Sequence, residues 1–178
     1  MTWDTFHRRG EVLRNVVDHL DARRDGELPL ELPGVAETFQ DELTLLGALQ
    51  LRWHTRLAGL VERELMEQPT DLESAVTSAW RKTATELVGI RAVLDARTAE
   101  PTSEEMRDLL ARAHRKDWVL MAAMAGQAGP ADTGAAAVGR RLEQKAREAY
   151  RPALGGARRA GTPQRHSLLG RLKAHLAA

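Results

Sequence analysis

The sequence of 178 residues contains no cysteine. This absence excludes disulfide bonds, thiolate catalysis, and zinc or iron–sulfur sites built on cysteine. The chain also lacks any run of about 18 consecutive apolar residues, and its N-terminal stretch MTWDTFHRRGEVLR has charges throughout. The sequence therefore predicts neither export nor a membrane span, and we expect a cytoplasmic protein.

The common phosphate-binding and catalytic signatures are missing as well. The sequence has no GxGxxG, no GxxxxGKS/T, no HExxH and no GxSxG motif. Most enzyme classes therefore have no support in this sequence, and no residue is assigned a catalytic role.

The charges are present in near balance but are unevenly distributed. Residues 1–138 have a net charge of −7 and residues 139–178 a net charge of +8, within a total of +1. From Arg151 to Gln164 the chain is rich in Gly, Pro, Ala and Arg without periodicity, which is typical of a linker. We therefore predict a helical bundle domain over residues 1–150. Residues 151–178 are predicted to form a flexible basic linker and a short amphipathic C-terminal helix.

Apolar residues recur at spacings of three and four through most of the first 150 residues, which predicts an all-α fold. The pattern indicates helices over residues 3–24, 35–67, 70–97 and 133–150, and a further helix that opens at the capping sequence of residues 101–105 and has its apolar positions from Met106 to Met124. Capping sequences after Pro69 and Pro101 mark two of the helix starts. We expect an antiparallel four-helix bundle, with the fifth helix lying against it and a flexible basic tail beyond.

Polar side chains fall on or beside the predicted apolar stripes. If consecutive helices pair as antiparallel hairpins, His54 lies level with Glu86 and with the segment from His114 to Asp117, and His7 lies near the same level. Imidazole and carboxylate groups together suit zinc, iron or manganese. The candidate metal ligands are therefore His7, His54, Glu86, His114 and Asp117.

A simpler interpretation of this polar layer stays open. A histidine beside a carboxylate on a neighbouring helix is more often a hydrogen-bonded core pair than a set of metal ligands. The ExxH pair that is typical of metal sites in helical bundles is also missing. The layer therefore predicts either a transition-metal site or a set of internal polar pairs.

The basic C-terminal arm indicates a function of another class. Its cations could bind an acidic protein surface or nucleic acid, and its terminal leucines could dock into the groove of a partner. Tyr150 is the only aromatic residue in this region, so a protein partner or a second copy of the chain is favoured over nucleic acid. The candidate partner-binding residues are Arg140, Arg141, Arg147, Arg158, Arg159, Leu169 and Leu172.

One stretch of the chain resembles a known family. The run GVAETFQDELTLLGALQLRWHTRLAGLVERELMEQP, with MTWDTFHRRGEVLR before it and DLESAVTSAW after it, resembles a family of uncharacterised actinobacterial helical proteins over about residues 1–95. The resemblance implies a bacterial cytoplasmic protein and carries over no functional residues. Ferritin-like and DinB-like bundles are similar in architecture only, because the ExxH of the former and the HxxxH of the latter do not occur here.

These observations together favour a non-catalytic accessory or interaction protein. The alternative is a metal-binding four-helix bundle with redox or hydrolytic activity, whose ligands lie in the mid-bundle polar layer.

Overall fold

The computed structural model describes residues 3–150, with side chains from His7 onward. Within these residues the fold is all-helical, with seven α-helices and no strand. The helices are α1 (Trp3–Arg23), α2 (Val35–Phe39), α3 (Glu42–Glu67), α4 (Leu72–Glu86), α5 (Val88–Ala99), α6 (Glu104–Met124) and α7 (Ala135–Ala149). The predicted linker and C-terminal helix, with Arg158, Arg159, Leu169 and Leu172, lie outside the described residues.

The segment predicted as one helix over residues 35–67 consists of two helices. Gln40 has a φ of 64° and ends α2. Asp41 then caps α3, since its side chain accepts a hydrogen bond from the Thr44 N–H at 2.7 Å. Such a cap satisfies one of the N–H groups that the first helical turn leaves unpaired, and typically stabilises a helix by about 1 kcal/mol. The buried residues Phe39 and Leu46 continue one stripe across this break, which is why the periodicity alone predicts a single helix.

The segment predicted as one helix over residues 70–97 is likewise divided, into α4 and α5, which meet at Leu87. Leu87 has φ −119° and ψ 45°, outside the helical region. The N–H of Gly89 donates to Oδ1 of Asp21 in α1 at 2.9 Å. A Cβ on Gly89 would lie 2.3 Å from the carbonyl carbon of Leu20, so α1 can approach this closely only because residue 89 is glycine. A contact from α1 therefore completes the first turn of α5.

The starts of α4 and α6 agree with the predicted capping sequences. Asp71 accepts a hydrogen bond from the Ser74 N–H at 3.0 Å and caps α4. Ser103 accepts one from the Met106 N–H at 3.1 Å and caps α6. Both caps come from residues immediately before the helix that they stabilise, so the local sequence is sufficient to predict them.

The core is centred on α3, which is packed against α4, α5 and α6. Ion pairs between Glu64 and Lys82 and between Arg56 and Glu86 show that α3 and α4 are antiparallel. Burying one leucine side chain contributes roughly 2 kcal/mol to stability, so the buried leucines of α3 stabilise the fold more than these ion pairs do. The fully buried leucines of α3 are Leu45, Leu46, Leu49, Leu57 and Leu60.

The last described helix, α7, packs against α6 and α4. A Cβ on Gly139 would lie 1.8 Å from the Trp118 carbonyl oxygen, so α6 and α7 are in backbone contact at this point. Leu142 and Ala146 are buried on the same face. The Tyr150 hydroxyl donates to the Ala84 carbonyl oxygen at 3.0 Å and fixes the end of α7 against α4.

None of the helices within residues 3–150 combines the length and the apolar character needed to cross a membrane.

Candidate functional site

The structure brings His54 of α3 and Asp117 of α6 together. Nδ1 of His54 lies 2.6 Å from Oδ1 of Asp117, and Nε2 of Gln50 donates to Oδ2 of Asp117 at 3.1 Å. Asp117 is only 6% exposed, and these two contacts replace the water that a carboxylate loses on burial. Asp117 is therefore a buried carboxylate whose two oxygens are both engaged.

The carboxylate controls the electrostatics of His54. The hydrogen bond to Asp117 raises the pKa of His54 above its ordinary value, while partial burial and the nearby Lys116 oppose this shift. The His54 side chain is 32% exposed, and its Nε2 has no hydrogen-bond partner within residues 7–150. Because Nδ1 is engaged by Asp117, Nε2 is the atom that an incoming ligand can reach.

Two of the other predicted metal ligands lie away from this pair. Glu86, at the end of α4, accepts a hydrogen bond from Nε of Arg56 at 2.5 Å, and both side chains are about 40% exposed. The Arg56 hydrogen bond lowers the pKa of Glu86. His7 is exposed on α1. Glu86 therefore belongs to a surface ion pair, and His7 is on the surface of another helix.

His114 lies one turn before Asp117 on α6 but faces another neighbour. Its ring packs edge-on against Trp118, with 5.7 Å between the ring centroids, and its Nε2 is 3.5 Å from the Thr98 hydroxyl. Burial, followed by the charge of Arg91, lowers the pKa of His114. Across the described part of the chain, no three His, Asp or Glu side chains are grouped in a way that could hold a metal ion.

A second polar cluster, which the sequence analysis missed, joins α5 to α7. Nη2 of Arg91 donates to Oδ1 of Asp95 at 2.7 Å, and Nη2 of Arg147 donates to the same oxygen at 2.9 Å. Arg147 also pairs with Glu143 at 2.7 Å. The Arg91 side chain is buried, and its guanidinium carbon lies 4.7 Å from the centre of the Trp53 ring. Asp95 therefore partners a cation in the interior as well as one from α7.

Arg147, predicted as a partner-binding cation, makes internal contacts in the structure. Besides its two ion pairs, its guanidinium carbon lies 5.0 Å from the centre of the buried Trp80 ring. The physical reason is that α7 places this face of the helix towards α4 and α5. Arg140 and Arg141 are exposed on α7 and stay predicted partner-binding residues.

A groove runs along the surface between α3 and α6 beside His54. It consists of two depressions, of about 240 Å³ and about 680 Å³, which share His54, Arg112 and Lys116. We call this feature the His54 groove. Leu51 lies at its edge nearest α1 and is 64% exposed. The apolar wall at its other end consists of the half-buried residues Val119, Leu120, Ala123 and Met124.

The His54 groove is positively charged. Arg112, Arg115 and Lys116 line it, and none of them forms a hydrogen bond or an ion pair with another residue of the range 7–150. Among the described residues, Asp117 is the only carboxylate that lines the groove, and it is engaged by Gln50 and His54. The groove thus combines an apolar wall with cations that lack internal partners.

Comparison with protein-family models, with curated proteins and with solved structures finds no match to this chain. No residue role is therefore carried over from a relative. The function has to be argued from the geometry and the charges of the site itself.

Proposed function

We propose that this chain is a non-catalytic interaction protein, built as a four-helix bundle with α7 added, that binds a partner protein in the His54 groove. The observation that best supports the proposal is the combination, in one groove, of a half-buried apolar wall and three cations without internal partners. Partly exposed apolar surface rimmed by polar groups is typical of a site for another protein. A bacterial cytoplasmic origin, in the family that residues 1–95 resemble, is part of the same proposal.

The chemistry of binding follows from the exposed area. A partner that covers Leu51 and the apolar wall removes carbon surface from water, which contributes roughly 25 cal/mol per Å² of apolar area. Leu51 is the most exposed apolar side chain of the groove at 64%, so it gains the most from being covered. The cations then add orientation and a faster encounter with an acidic partner.

The basic arm has an accessory role in this proposal. Arg140 and Arg141 are exposed on α7, and residues 139–178 have a net charge of +8. A cluster of positive charge attached to the binding domain attracts an acidic partner over a distance of about 10 Å at moderate salt. We expect truncation after Tyr150 to weaken recovery of the partner, and more strongly at low salt than at high salt.

Affinity purification with matched surface variants tests the proposed function. Leu51→Glu places a charge in the groove, while Met66→Glu makes the same kind of change at a 78% exposed position on α3 outside it. Because both side chains are exposed, both variants should retain the thermal unfolding midpoint of the parent chain. We expect a partner protein to be recovered with the parent and with Met66→Glu, but lost with Leu51→Glu. Recovery of the same proteins with all three chains would refute the groove as the binding site.

The alternative function, a His and carboxylate metal site, has one supporting observation, which is the unpartnered Nε2 of His54 beside Asp117. Asp117 already orients the imidazole, so a metal on Nε2 would have only one protein ligand at this point. Elemental analysis of the untagged protein distinguishes the two functions. Stoichiometric zinc, iron or manganese that disappears in the His54→Ala/His114→Ala variant would replace the interaction proposal with the metal-site proposal.

A further inference from the structure

The chemical class of the partner can be inferred from the order of side chains along the His54 groove. Arg112, Arg115 and Lys116 precede the apolar wall, which runs from Val119 to Met124, along α6. A helical rise of 1.5 Å per residue gives the groove a length of about 18 Å between Arg112 and Met124. An occupant that covers it is therefore acidic over one part and apolar over the next, and extends for about three helical turns.

We propose that the His54 groove binds an acidic amphipathic α-helix of a partner protein, whose carboxylates face Arg112 and Lys116 and whose apolar side chains cover the wall from Val119 to Met124. This inference rests on the proposed function, because it names the partner of the same groove. A helix that binds in a groove presents apolar side chains at spacings of three and four residues along one face. Such a face would cover the apolar wall.

Charge complementarity selects an acidic helix over other occupants. Each cation of the groove lacks a partner in the described range, and the one carboxylate lining it is already engaged. An acidic helix supplies the missing partners without leaving a buried charge unpaired. The terminal segment SLLGRLKAHLAA of this chain contains Arg171 and Lys173 and no carboxylate side chain, so its charge does not match the groove.

The apolar wall also favours a helix over a polyphosphate as the occupant of the groove. Phosphates would satisfy the cations, but recognition of single-stranded nucleic acid adds aromatic platforms on which bases stack. The residues that line the groove include no Phe, Tyr or Trp. His54 lines both depressions of the groove, and its imidazole offers a further donor to a carboxylate, because Asp117 favours the charged form.

Fluorescence anisotropy with the full chain and synthetic peptides tests the inference. The probe is a labelled helical peptide of about 14 residues with leucines on one face and glutamates beside them, compared with peptides in which glutamine or lysine replaces every glutamate. We expect the glutamate peptide to bind about tenfold more tightly than the glutamine peptide at an ionic strength of about 0.15 M, and the lysine peptide to bind most weakly.

Matched charge reversals locate the effect in the groove. Arg112→Glu/Lys116→Glu should abolish the preference for the glutamate peptide. Arg14→Glu/Arg107→Glu changes the net charge by the same amount at exposed positions outside the groove and should retain the preference. If both pairs weaken binding equally, the attraction is only a property of the net charge and the inference is refuted.

The remaining outcomes separate this inference from the proposed function. Equal affinity for the glutamate and glutamine peptides, or no peptide binding while a partner still depends on Leu51, would overturn the acidic helix and leave the interaction groove standing. Binding of duplex DNA or of anionic lipid vesicles that requires Arg112 and Lys116, without binding of the glutamate peptide, would overturn it in favour of a phosphate ligand. Absence of both peptide binding and a Leu51-dependent partner would refute both proposals.

Discussion

Nδ1 of His54 lies 2.6 Å from Oδ1 of Asp117, and this contact joins α3 to α6 across 63 residues of sequence. The hydrogen bond favours the charged imidazole and raises the pKa of His54. His114, one turn before Asp117, has its pKa lowered instead, because it is buried and lies near Arg91. The pKa values of two histidines close to one carboxylate are therefore shifted in opposite directions.

We expect an NMR titration to place the pKa of His54 above, and that of His114 below, the ordinary value of about 6.5. The contribution of His54 to stability is complete below the unfolded-state pKa and is lost as the pH rises through the raised folded-state value. The contribution of His114 to stability has the opposite pH dependence. Below about pH 6.5 the unfolded chain binds a proton at this histidine and the folded chain does not, so stability falls as the pH falls. In Asp117→Asn the pKa of His54 should fall. An unchanged value would show that this carboxylate does not control the imidazole.

The backbone contact between α6 and α7 predicts that Gly139 cannot be replaced. A methyl group there would lie 1.8 Å from the Trp118 carbonyl oxygen, so Gly139→Ala forces the helices apart. We expect the free energy of unfolding, measured with denaturant, to fall by about 1–3 kcal/mol or more. Gly59→Ala is the matched control, because a Cβ at this position in α3 meets no atom within 4 Å. It should stabilise the protein by about 0.5–1 kcal/mol through helix propensity. Equal effects of the two substitutions would contradict the close helix crossing.

The pairing of Arg91 with Asp95 predicts a cost for neutralising the carboxylate. Asp95→Asn leaves the buried guanidinium of Arg91 without its ion pair and also removes a partner of Arg147. We expect a loss of about 1–3 kcal/mol in the free energy of unfolding, below the value for a fully buried pair because the Asp95 side chain is 42% exposed. Asp18→Asn, at an exposed position on α1, should change stability by less than about 0.5 kcal/mol. A cost no larger than that of this control would show that Arg91 does not depend on Asp95.

The hydrogen bond from the Gly89 N–H, in the first turn of α5, to Asp21 of α1 predicts different results for two substitutions of Asp21. Asp21→Ala removes the acceptor for the Gly89 N–H and should reduce the free energy of unfolding by about 1 kcal/mol. Asp21→Asn keeps a side-chain oxygen at the same place and should lose only a few tenths of a kcal/mol. Thermal and denaturant unfolding of the two variants measure the difference. If alanine and asparagine behave alike, the hydrogen bond to Gly89 does not stabilise α5.

Features of the fold that depend on neighbouring residues could be predicted from the sequence. Ser103 and Asp71 cap the helices that directly follow them, and the buried stripe of α3 follows from its periodicity. The break before Asp41 also has a local signal, because aspartate is a common N-cap, but the continuous stripe conceals it. The bend at Leu87 has no such signal, since its stabilising acceptor is supplied by Asp21 from another helix.

The same distinction applies to the candidate site. Comparing levels between antiparallel hairpins placed His54 opposite Asp117, and these two side chains are in contact. Glu86 was placed at that level too, but it is directed to Arg56 on the surface, because level alone does not fix the direction of a side chain at the edge of a stripe. The ion pair between Arg147 and Asp95 could not be predicted, since it requires knowing that α7 lies beside α5. The pair between Arg91 and Asp95 has a local signal, because the two residues are four apart on α5.

Because the Gly89 N–H is hydrogen-bonded to Asp21 of α1, the bend between α4 and α5 depends on the position of α1. The apolar stripe runs without interruption through residues 76–94, which by itself suits one straight helix. The contact from Asp21 of α1 to Gly89 accompanies the break in this helix at Leu87. If α1 detached, the Gly89 N–H would lose its acceptor and become open to water. The amide of Gly89 is therefore a built-in reporter, whose hydrogen exchange records how often α1 leaves its place while the rest of the fold stays intact.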